Sequence, residues 1–272
     1  MSRPADPDGS SADSADSAGF ADSAGVPWAG RSFERNEHAA DDGSAPAAFV
    51  QAIARFRAGD AGPDAVVDSL RDARLLMPLV AELGESGVGP HGRTVDKSQE
   101  LSIVTVAAPD GRTVLPAFSD TAAMARWDAA ARPIPTPVRR IALAAADEGT
   151  DLVVVDPGSD TEFVIRRPAV WAIARGIPWE PSYASPEVFS ALTASVASEL
   201  AVLDLSVAPG DPHSRLRGPE LVVRLELMAG LDRAELDGVL ARLARRWAAD
   251  DRIAVLVDSL TVTLVSGDPL SR

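Results

Sequence analysis

The chain has 272 residues, 46% of them hydrophobic, and a formal net charge of -14 at pH 7. That length and apolar content can furnish one large core or two small ones, whereas the acid excess opposes binding to nucleic-acid phosphates or anionic membranes. The absence of cysteine excludes disulfides, thiol nucleophiles, persulfide chemistry and zinc sites built on thiolates.

Residues 1–45 are rich in Ser, Ala, Asp and Gly (SSADSADSAGFADSAG) and bury too little to offset the entropy of ordering, so an acidic disordered tail is predicted. Trp28 and Phe33 are isolated in it and read as incidental. The start lacks the apolar core of a secretory signal, and no run approaches the ~20 apolar residues of a membrane span. A cytoplasmic protein without a membrane partner is the expectation.

Phe49, Ile53 and Phe56 at helical spacing open the folded part, with Gly59 and Gly62-Pro63 as its end, and a second short helix through Val66, Val67 and Leu70 leads into a strand over 74–80. Residues 84–94 (GESGVGPHGRT) read as a loop, not followed by the basic residue and helix that a phosphate-binding loop requires. The organising stretch is 96–127. Its β-branched runs 101–107 and 113–118 flank Pro109-Asp110-Gly111 as a hairpin, with apolar residues on both faces that predict central, covered strands. Ser119 or Asp120 can cap a following helix whose Ala123, Met124 and Trp127 share one face. The three prolines of 132–137 predict a rigid linker, and a helix should run from about Arg139 to near Gly149. Residues 151–156 (DLVVVD) and 162–166 form a second hairpin across Pro157-Gly158, and Pro168 starts a helix that Gly176 closes.

The proline-punctuated 177–185 (IPWEPSYAS) marks a domain boundary. Ser185-Pro186-Glu187 begins a helix with a cap, a proline and an acid in the first turn. Residues 202–207 and 221–228 alternate apolar and polar residues as half-buried strands, joined by the polar GDPHSRLRG. Asp232 with Glu235 resembles a capping box for a helix burying Leu236, Val239, Leu240, Leu243 and Trp247. A final strand pair, 253–257 and 261–265, should turn at Asp258-Ser259. The predicted class is therefore α+β: two small domains, 46–181 and 182–272, each a mainly antiparallel sheet packed with helices, after the tail.

No catalytic signature emerges. His38, His91 and His213 are not at ligand spacing, no Gly-x-Ser-x-Gly elbow is present, and neither a metal nor a cofactor is expected. Asp156 before Pro157-Gly158 reads as a turn starter rather than a strand-end acid. Lys97, the single lysine, together with Arg112, Arg166 and Arg167, and with Arg139-Arg140 as a further pair, could converge on one end of the first sheet and hold a carboxylate or phosphate; pairing with neighbouring acids is the competing use of arginine.

The wording DKSQEL, GRTVLPAF, the helix with Trp127, LVVVDP and RRPAVWA resembles the N-terminal domain of the SseB family, named for enhanced serine sensitivity, over about 49–181. Residues 185–268 are similar to the C-terminal domain of longer SseB-type proteins. The resemblance implies no catalytic residue to carry over. It implies a non-enzymatic protein acting through protein contacts or small-ligand sensing in amino-acid (serine) metabolism, with an unknown protein or a small anion as partner. The alternative is an enzyme with a cysteine-free, metal-free polar site acting on a small anionic metabolite.

Overall fold

The computed structural model describes residues 41–80, 104–108, 110–147, 149–150 and 152–267. The predicted disordered tail, up to residue 40, and the loop 84–94 lie outside the described residues, as does Lys97. The last five residues assigned to the tail are anchored: Asp41 and the Ser44 carbonyl receive the Arg74 guanidinium, and the Gly43 carbonyl accepts the Thr121 N–H at 3.0 Å. A charge and backbone contacts hold this segment, which is why no apolar pattern announced it.

The helices α1 (Ala47–Ala58) and α2 (Pro63–Leu70) bury Phe49, Ile53, Val66, Val67 and Leu70, and Gly59 ends α1 at φ 82°, where a side chain would be strained. They lead into β1 (Arg74–Leu79). The hairpin of the organising stretch comprises β2 (Val106–Ala107) and β3 (Thr113–Ala117), antiparallel with Val106 opposite Val114. Asp120 accepts the Ala123 N–H at 2.6 Å and starts α3 (Thr121–Trp127), whose Trp127 lies 5.3 Å from the Phe118 ring.

Residues 132–137 are not a linker but a strand, β4 (Arg132–Pro137), antiparallel to β1 in a two-stranded sheet. Its prolines stand at alternate positions, so the missing N–H groups all fall on one side. The Val138 N–H bonds to the Ala73 carbonyl at 3.0 Å, which puts the even-numbered donors toward β1 and the prolines on the outer side, where an edge strand needs no donor.

Then come α4 (Val138–Asp147), β5 (Val153–Val155), β6 (Phe163–Ile165) and α5 (Arg167–Arg175). The four-stranded sheet has the order β2-β3-β5-β6; β3 is central and β2 lies at an edge. The second hairpin forms as expected, whereas β3 and β5 run parallel, since the chain between them crosses over through α3, β4 and α4. One face of this sheet, with Leu115, Val153 and Ile165, packs on α1, α2, α4 and α5. The other, with Val114, Val154 and Val164, is closed by Leu216 from the loop 210–219. Both faces are covered, which explains the unbroken valines of β5.

A second core gathers α6 (Pro186–Val196), β7 (Val202–Pro209), β8 (Leu221–Met228), α7 (Arg233–Ala249), α8 (Asp251–Leu256) and β9 (Leu260–Gly267). The Ser185 cap, the alternation of β8 and the reciprocal Asp232–Glu235 capping box are all present. Residues 253–256 of the predicted strand 253–257 form most of α8 instead: Asp250 caps it by accepting the Arg252 N–H, Ile253 and Leu256 share one helical face, and the extended Val257 ends it. Because α7 and α8 intervene, β9 returns parallel to β8 while β7 is antiparallel to it. The architecture is α+β with mixed sheets, and from Asp41 onward the chain clusters as one compact unit.

Candidate functional site

Arg166 leaves the end of β6 and caps α5, and this corner carries its guanidinium into the seam between the two cores, where it is 6% exposed. Nη1 donates to Asp258 at 2.9 Å, and Nη2 donates to Asp211 and to the Gly218 carbonyl, each at 2.8 Å. Arg112, from the turn between β2 and β3, reaches the same Asp258 carboxylate at 3.0 Å and Asp110 at 2.7 Å. Arg167 instead donates to the Ala254 and Val257 carbonyls at the C-terminal end of α8, where the helix dipole favours a cation, with its guanidinium 5.9 Å from the Trp171 ring centre. Of the arginines singled out in the sequence, Arg112 and Arg166 meet and Arg167 lies beside them, each bonded to protein groups. Arg139 donates to the Ala174 carbonyl on the surface.

Burial raises the pKa of Asp258, but the charges of Arg112 and Arg166 outweigh it and hold the carboxyl below its usual range. Its neighbour Glu220 accepts the Ser182 and Asp258 N–H groups yet is pushed up, with burial the leading cause. The two act oppositely. Stability contributed by Asp258 is present above the unfolded carboxylate pKa and is lost as pH falls through its lowered folded value, whereas that of Glu220 is present below the unfolded value and lost as pH rises through its raised one. In urea unfolding between about pH 4 and pH 2, the parent will therefore lose stability more steeply than Asp258→Asn. Equal slopes would show that Asp258 is not the linked group.

A second buried carboxylate sits where β5 ends. Asp156 is 1% exposed at φ 50°; its carboxylate accepts the Ser119 N–H and hydroxyl, each at 2.7 Å, and the Thr161 hydroxyl at 2.8 Å. Its carbonyl accepts the Ser159 N–H, so it also starts the turn the sequence suggests. Burial is the leading cause of its raised pKa.

Three further arginines, not singled out in the sequence, gather around the loop 210–219. Arg57 of α1 donates to the His213 carbonyl at 2.6 Å and to the Glu162 carbonyl, and Arg215 Nη2 donates to the Ser159 and Asp160 carbonyls, each at 3.2 Å. Burial, then the charge of Arg215, lowers the pKa of Arg57. Among the described residues no carboxylate lies within ion-pair distance of either, and Arg217 makes no hydrogen bond or ion pair at all. The three line a cleft of about 370 Å³, and Arg217 also lines an adjoining cleft of about 620 Å³ with Arg112 and Asp258. The loop is held open for this by Asp211, which accepts the Leu216 N–H at 2.7 Å and the Arg215 N–H at 3.2 Å while Ser214 and Leu216 take positive φ. Leu216 plugs into the first sheet, and its neighbours Arg215 and Arg217 are left on the cleft side. The legible signal was a lone apolar residue between two arginines in a polar loop; Arg57, more than 150 positions away, gave none.

Residues 49–172 match the SseB protein N-terminal domain. No curated protein and no solved structure matches the chain. The SseB-matched segment thus contains α1 through most of α5 and supplies Arg57, Arg112, Arg166 and Arg167, while Asp211, Arg215, Arg217, Glu220 and Asp258 follow it. Among the described residues there is no cluster of His, Asp and Glu suited to a metal ion and no helix long and apolar enough to cross a membrane.

Proposed function

We propose that the whole chain is an SseB-family protein of two domains, 46–181 and 182–272, that acts in the cytoplasm by binding a small anion rather than by catalysis. The observation that carries this reading is the set of Arg57, Arg215 and Arg217, which converge on one cleft beside Asp211, a carboxylate already engaged by Arg166, and which have no carboxylate within ion-pair distance among the described residues of a chain of charge -14. Elsewhere in the same seam the acids neutralise Arg112 and Arg166; here the guanidinium edges left over suit a carboxylate or phosphate, held bidentately. A position between two cores is also where small ligands are commonly seated. Arg112, which lines the adjoining cleft, is a candidate for the rim of the same site, Lys97 stays a binding candidate on its sequence alone, and the family name points to an anion of amino-acid metabolism.

Isothermal titration and thermal unfolding of the full chain with serine, inorganic phosphate and a set of small dicarboxylates test this. A ligand at a hundred times its dissociation constant should stabilise the fold by about 2.7 kcal/mol. Arg217→Ala should abolish that gain while leaving the ligand-free midpoint unchanged, because among the described residues Arg217 makes no hydrogen bond or ion pair to lose. If no anion shifts the midpoint, or if Arg217→Ala and Arg215→Ala bind as the parent does, the reading falls. Turnover of a bound anion would replace it with the enzyme alternative.

A further inference from the structure

The strand β9, LTVTLVSG, is the outer strand of the order β7-β8-β9 and pairs only with β8 among the described strands. The Ser259 carbonyl accepts the Leu221 N–H at 3.1 Å, and Leu221 stands opposite Leu260. Alternation along the strand therefore turns the peptide groups of odd-numbered residues toward β8 and those of Leu260, Val262, Leu264 and Ser266 outward. An open edge of this kind is usually blunted by charge, proline or a short strand. The other outer strand, β7, contains Asp204 and Pro209; β9 runs from Leu260 to Gly267 with neither charge nor proline.

The side chains show the same incompleteness. Leu221, Val223 and Leu225 of β8 are fully buried, yet their same-face neighbour Leu264 is 39% exposed and Val262 half-buried. Beside this strip an apolar groove of about 510 Å³ opens between Val262 of β9, Leu240 and Trp247 of α7, Ile253 of α8 and Val257 just after it.

We propose that a second copy of this chain completes the sheet, β9 pairing antiparallel with the partner's β9 across a two-fold axis through Thr263. Such an interface is self-complementary, and this strand suits it. With Thr263 opposite the partner's Thr263, Val262 meets the partner's Leu264 on the groove face, Leu264 meets the partner's Val262, and Thr261 meets the partner's Val265 on the outer face. The same register brings together the outward peptide groups of Val262 and the partner's Leu264, so that the edge donors and acceptors are satisfied reciprocally. In a chain of net charge -14, β9 offers an approach along which no acid opposes its copy. The result is a six-stranded sheet, β7-β8-β9 continued by the partner's three strands.

Sedimentation equilibrium of the full chain should find a dimer. Thr263 is exposed and points away from the groove, so Thr263→Lys and Thr263→Glu keep the fold but set like charges face to face on the axis. Each alone should raise the dimer dissociation constant ~10-fold or more. An equimolar mixture of the two should restore association, which an effect on folding would not produce. A monomeric parent overturns the proposal and leaves the edge for a strand of another protein; a dimer that survives both variants, or a mixture that stays monomeric, overturns it as well.

Discussion

Arg166→Ala will destabilise the protein by about 3–5 kcal/mol, measured as the loss of unfolding free energy in urea at pH 7. The guanidinium donates to Asp211, Asp258 and the Gly218 carbonyl from a position almost closed to solvent. Its removal leaves two buried carboxylates with less countercharge, and the cost of that exceeds the modest net value of the pairs themselves. Arg112 still reaches Asp258 from the half-exposed turn, but the Asp211 carboxylate has no other ion-pair partner among the described residues and is left with the N–H groups of Arg215 and Leu216. The loss should therefore extend to the loop: burial of Leu216, worth about 1.5–3 kcal/mol, depends on it. Hydrogen exchange at the Leu216 N–H should rise in the variant. A change below about 1 kcal/mol would mean that water or a rearranged neighbour replaces the guanidinium, and the seam would not depend on Arg166.

Asp156→Ala will cost about 3 kcal/mol by a different route. Three donors converge on this carboxylate, two from Ser119 and one from Thr161, in a place that excludes water. A buried donor left without a partner costs about 1–3 kcal/mol, and although the hydroxyls of Ser119 and Thr161 can turn elsewhere, the Ser119 N–H cannot. The positive φ adds strain once the polar side chain that tolerates it is gone. Asp156→Asn separates the two contributions. It keeps a residue suited to φ 50° but turns an amide donor toward existing donors, so it should recover only the backbone part of the loss. Full recovery at pH 7 would show that the hydrogen bonds contribute little, and thermal unfolding of the two variants side by side decides it.

Much of the secondary structure was legible because its causes are local. The Asp120 cap, the Ser185-Pro186 start of α6, the Asp232–Glu235 box and the turn at Asp110-Gly111 involve groups within a few positions of one another, so residue types at fixed spacing suffice. The alternation of β8 and the unbroken valines of β5 likewise declared one-sided and two-sided burial. The α+β class follows from these alone.

Tertiary structure decided the rest. The stretch 132–137 became a strand because β1 offered it an edge on which its prolines cost nothing, a fact about residues nearly sixty positions earlier. The end of the chain folded as α8 and then a parallel β9 because Asp250 could cap a helix and β8 had a free side, which made the expected hairpin at Asp258-Ser259 unnecessary. The arginines the sequence marked were drawn into the seam by Asp211 and Asp258, and those it passed over, Arg57, Arg215 and Arg217, were left facing a cleft. Caps and turns depend on neighbours along the chain and can be read from it; the pairing of a charge depends on which acid folding brings within about 4 Å, and that is set only when the two cores close on one another.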